Sequence, residues 1–95
     1  MDIKDLRTEI DRIDAALVEL FVKRMGISAQ VAAYKRDHGL PIHVPGREQE
    51  ILATVAAKAG PDLSDYATAL YSTIFELSRK YQAEQNALQG NEVDG

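Results

Sequence analysis

Residues 3–35 read IKDLRTEIDRIDAALVELFVKRMGISAQVAAYK, and the spacing of this stretch decides the fold. Its seam runs Ile3, Leu6, Ile10, Ile13, Leu17, Leu20, Arg24, Ile27 and Val31, in steps of three and four. Those steps mark one face of an amphipathic helix. Asp2 suits the N-cap, and Asp5 and Glu9 place negative charge where a helix N-terminus favours it. Gly26 weakens the run by only about 1 kcal/mol against Ala, too little to end it. In HGLP, Gly39 suits a left-handed C-terminal position and Pro41 blocks continuation. The first helix is therefore predicted from about Asp2 to His38.

A shorter helix is expected after HVPGRE, with Pro45 in its first turn and an apolar face of Ile51, Leu52, Val55, Ala56 and Ala59. Gly60 and Pro61 end it, and Ser64 or Asp65 caps a third helix. That helix carries Tyr66, Leu70, Tyr71, Ile74, Phe75, Leu77 and Tyr81 and is expected to reach about Leu88. The predicted class is all-α: one very long helix, one short and one medium. Residues 1–88 form one domain, and residues 89–95, which lack an apolar anchor, form a disordered tail.

Length adds a prediction about assembly. A helix of roughly 36 residues extends about 54 Å, whereas a compact globule of this size is only about 32 Å across. The seam outruns what the other two helices can cover, so a second copy is expected to cover it in an intertwined homodimer.

Composition narrows the function. The 95 residues are 45% hydrophobic and 27% charged, as in a globular domain, with a formal charge of -4. That balance offers no basic field for nucleic acid or an anionic membrane. The absence of cysteine removes disulfides, thiolate metal sites and cysteine nucleophiles. The N-terminus has no apolar signal core, and no apolar run reaches the roughly 20 residues that span a bilayer, so a cytoplasmic setting is expected. His38 and His43 fit no metal spacing, and no metal is expected.

Arg24 stands at a seam position where periodicity calls for an apolar residue. Lys35 lies eleven residues on, within roughly 20° of the same face at about 100° per residue. Neither has an acid three or four residues away. A bland reading has both reaching out of the apolar face or pairing with an acid on another helix. Two unpartnered cations in register favour a built anion site, because a buried charge persists only when something answers it. Ser78 and Gln82 lie four apart amid the apolar residues of the third helix, and Arg47 and Glu48 open the second. Arg7 is about 100° and roughly 25 Å from Arg24, so it can pair with Asp11 or reach a partner's pocket. The set holds cations, one carboxylate and neutral donors on rigid helices, with no nucleophile–base pair. It suits a small dianion and a unimolecular rearrangement driven by positioning and charge stabilisation.

The order of Leu6-Arg7, IDRID (10–14), Lys23-Arg24, VAAYK ending at Lys35, GLPI, GREQEIL and ELSRKYQ (76–82) resembles the all-helical chorismate mutase family over about residues 4–85. The resemblance implies an intertwined, cofactor-free dimer of the shikimate route to aromatic amino acids, converting chorismate to prephenate. By matching position, Arg24 and the partner subunit's Arg7 would grip the two substrate carboxylates. Lys35 and Gln82 would flank the ether oxygen, and Glu48 would accept from the ring C4 hydroxyl. Arg47 and Ser78 would complete the wall. Where the family usually carries an Asp shortly before the Arg-Glu pair, this chain has Val44, which offers a backbone N–H and no carboxylate. A 4-amino-4-deoxychorismate mutase or an isochorismate pyruvate lyase on the same fold therefore stays open, as does a non-enzymatic helical interaction module.

Overall fold

The computed structural model describes residues 2–94, with side chains through Leu88. Three helices follow in order: α1 (Ile3–Asp37), α2 (Pro45–Ala59) and α3 (Ser64–Asp94). No strand occurs among the described residues. The all-α class and the three-helix order agree with the expectation from periodicity.

Local chemistry sets the boundaries. The Asp2 carboxylate accepts from the Asp5 backbone N–H at 2.9 Å, capping α1 as its sequence implies. At the other end Gly39 adopts φ +65°, Gly39 N–H donates to the Arg36 carbonyl at 3.3 Å, and Leu40 N–H donates to the Lys35 carbonyl at 2.8 Å. This paired pattern is a Schellman closure, which needs a left-handed residue and so favours glycine. Pro45 opens α2 without costing a hydrogen bond, and Val44 sits at its N-cap with no side-chain cap. Helix α3 begins at Ser64 itself, so the expected cap at Ser64 or Asp65 falls inside the first turn. Its backbone is helical to Asp94, beyond the expected end near Leu88. The expected loose tail, 89–95, falls where side chains lie outside the described residues.

Helix α3 packs against both α1 and α2, which do not pack on each other. The result is elongated, 58 × 28 × 14 Å, with a radius of gyration of 17.0 Å against about 12 Å for a compact chain of this length. The apolar seam along the N-terminal half of α1 is left largely uncovered. Ile3, Ile10, Ile13, Leu17 and Leu20 are each more than half exposed. Tyr66, expected among the apolar residues of α3, is also exposed. Burial concentrates where α1 and α3 meet: Ala32 and Phe75 are buried together with Ser28, Ser78 and Gln82. The driest place in the chain is thus mostly polar. No described helix is long and apolar enough to cross a membrane.

Candidate active site

Between the C-terminal half of α1, the start of α2 and the middle of α3 lies a cleft of about 360 Å³. Arg24, Lys35, Val44, Arg47, Glu48, Ser78 and Gln82 all line it. Seven of the eight residues singled out from the sequence therefore face one space. Arg7 does not; it is exposed near the start of α1, without an ion pair to Asp11 among the described residues.

Each cation in the cleft is held differently. The Arg24 guanidinium carbon lies 5.8 Å from the Tyr71 ring centroid and 5.7 Å from that of Phe75. Aromatic faces stabilise a cation there by about 0.5–2 kcal/mol without neutralising it. Lys35 Nζ donates to the Ile42 carbonyl at 3.0 Å, which ties the ammonium to the loop and likewise leaves its charge intact. Arg47 sits at the rim, its exposed side chain reaching Glu50 at 3.4 Å. Among the described residues neither Arg24 nor Lys35 meets a carboxylate.

Glu48 differs. Arg79 Nη1 donates to both of its oxygens, at 2.7 and 2.6 Å, joining α2 to α3. The His43 imidazole stands 3.6 Å from Oε1, longer than a hydrogen bond. The carboxylate expected to meet the substrate thus already has a cationic partner in the cleft wall.

The buried polar residues form a chain. Gln82 Nε2 donates to Ser78 Oγ at 3.0 Å, and Ser78 Oγ donates to Ser28 Oγ at 2.9 Å. Gln82 Oε1 is buried without a partner. An unsatisfied buried acceptor costs about 1–3 kcal/mol, so this amide favours any rearrangement that brings a donor to its oxygen. The cleft is lined by four cations and one carboxylate, with apolar walls that include Ile27, Val31, Ile51 and Phe75. Such a space offers net positive charge and apolar walls to a small molecule.

A family model described as chorismate mutase type II matches residues 6–83. The chain belongs to the type II chorismate mutase family. It is 48% identical over 61 residues to the T-protein of Haemophilus influenzae, covering 61% of this chain and 16% of that protein. It is 41% identical over 54 residues to the bifunctional chorismate mutase/prephenate dehydratase of Aquifex aeolicus, covering 57% of this chain and 15% of that one. It is also 33% identical over 76 residues to a 4-amino-4-deoxychorismate mutase of Streptomyces venezuelae, covering 77% of this chain and 73% of the relative. The chain spans less than a fifth of the length of the T-protein and of the bifunctional relative. No solved structure matches.

Two residues of this mutase-family cleft escaped the sequence reading. Ser28 lies four residues after Arg24 and seven before Lys35, so its place on their face was readable from helical spacing. Arg79 had no such signal, because its partner Glu48 lies 31 positions away on another helix.

Proposed function

We propose that this domain catalyses the [3,3] rearrangement of chorismate to prephenate. The observation that carries the reading is the cleft's surplus of positive charge, with Arg24 and Lys35 unneutralised beside a buried serine–glutamine chain. In the reaction the ether C–O bond breaks while the enolpyruvyl methylene bonds to the carboxylated ring carbon. No proton, hydride or electron enters or leaves, so the chemistry calls for no cofactor. Rate comes from holding the reactive shape and from stabilising the negative charge that grows on the ether oxygen.

Arg24 binds one substrate carboxylate, and Lys35 and Gln82 face the ether oxygen. Glu48 accepts from the C4 hydroxyl, with Arg47, Ser78 and the Val44 backbone completing the wall. Gln82 Nε2 is engaged with Ser78, but the chain can reverse. If Ser28 donates to Ser78 and Ser78 to Gln82 Oε1, the amide's two N–H groups turn free and the orphaned oxygen gains a partner. Two hydroxyl rotations and one amide turn accomplish this.

The same reading includes an intertwined homodimer with Arg7 contributed across the interface. Its support is the bare seam of α1 and an apolar groove of about 440 Å³ between α1 and α3, lined by Leu17, Phe21, Leu70 and Ile74 among others. A second copy presenting its own α1 would bury both.

Purified protein added to chorismate should cause loss of its ultraviolet absorbance, with prephenate as the product. A folded protein that leaves chorismate untouched overturns the reading. A second reading, rearrangement of 4-amino-4-deoxychorismate, is favoured by the S. venezuelae relative, and the same assay on the amino compound tests it.

A further inference from the structure

The Arg79–Glu48 pair is an odd feature for a substrate-facing carboxylate. An acid that must grip a cationic group needs its charge, and here that charge is answered from within the protein. Both oxygens are engaged by one nitrogen, at 2.7 and 2.6 Å, and both side chains are largely shielded, with relative exposures of 32% for Arg79 and 22% for Glu48. Hydrogen-bonding capacity survives the pairing. A carboxylate offers about four lone-pair positions, and Arg79 occupies two. The remainder accept one O–H from a neutral hydroxyl without any need for net charge.

The surroundings point the same way. With Arg79 counted, four cations face one acid, leaving three positive charges in the lining. A dianion meets that surplus. The same ring carrying a protonated amine, which stays charged at neutral pH as alkyl amines do, brings one negative charge fewer and sets a cation beside Arg79.

We propose that Arg79 is a specificity-determining residue: by neutralising Glu48 it makes the cleft accept a neutral hydroxyl, and reject an ammonium, at the ring carbon that Glu48 faces. This rests on the functional reading above and adds a substrate preference to it. Arg79 acts through Glu48, so it is a positioning residue. Removing its charge leaves Glu48 with a full negative charge for an ammonium to meet. At an effective dielectric near 20, one unit charge roughly 6–12 Å away shifts relative affinity by about ten- to a hundredfold.

The test compares kcat/KM for chorismate and for 4-amino-4-deoxychorismate in the full chain and in three variants. Arg79→Met keeps the apolar stem and drops the charge; it should raise the amino-to-hydroxyl ratio about tenfold or more. Arg79→Lys keeps the charge and should hold the ratio near that of the unaltered chain. Arg79→Gln drops the charge while keeping a donor for Glu48 and should raise the ratio as well; it answers alone if Arg79→Met loses its helical circular dichroism. An unaltered chain that is active, with a ratio that moves in neither Arg79→Met nor Arg79→Gln, overturns the inference and leaves the functional reading standing. So does an unaltered chain that prefers the amino compound. An unaltered chain inactive on both compounds overturns the functional reading and the inference with it.

Discussion

Lys35 and Gln82 approach the same space from opposite walls, one already charged and the other able to turn its amide. Lys35→Ala and Gln82→Ala should each lower kcat by about a hundredfold or more, the scale on which a single preorganised donor acts. Circular dichroism should show the helices unchanged, since neither side chain carries much apolar packing. Near-normal turnover in either variant would remove that residue from the ether-oxygen site. Residues of this kind are legible in a sequence because a bare cation on an apolar face breaks a pattern with physical cause. Ser28 breaks the same pattern more quietly, being small enough to pass as filler. Arg79 breaks none, since its meaning comes from a contact between helices that no local spacing encodes.

Among the elements, α1 tolerates Gly26 in mid-helix because no atom of the rest of the chain lies within 4 Å of where a Cβ would stand. Gly26→Ala should therefore raise stability by about 0.5–1 kcal/mol, read as a shift in the denaturant midpoint. A loss instead would mean that a second chain occupies that spot. Gly39→Ala should do the opposite, costing about 1–2 kcal/mol, because φ +65° is strained for any residue with a Cβ. Both ends of α1 and the start of α2 were legible for the same reason: Asp2, Gly39 and Pro45 act through backbone chemistry that works wherever the chain later goes. The start of α3 was less so, since several residues of PDLSD can serve in a first turn. The exposed Tyr66 shows the limit of periodicity, which assigns a residue to a face without saying whether a neighbour arrives to cover it.

For the whole molecule, a 58 Å body with an uncovered apolar seam is a poor monomer. The protein should sediment as a dimer at micromolar concentration, and a stable folded monomer would contradict the proposed assembly. Arg7→Ala and Arg24→Ala chains, each inactive alone, should recover part of the activity when mixed. No recovery, with mixed dimers shown to form, would mean that Arg7 does not serve the other subunit's cleft. The mismatch between helix length and globule size was legible from residue counts alone; the path of the second chain was not, because the seam records only that something must cover it. Arg24 borders both the polar cleft and the apolar groove. In the proposed dimer, guest and subunit therefore lean on one side chain, and thermodynamic linkage makes each report on the other. Dissociation into single chains should weaken the grip on a dicarboxylate by the same factor, per site, by which that dicarboxylate lowers the dissociation constant of the dimer, so one melting temperature would carry the imprint of two concentrations.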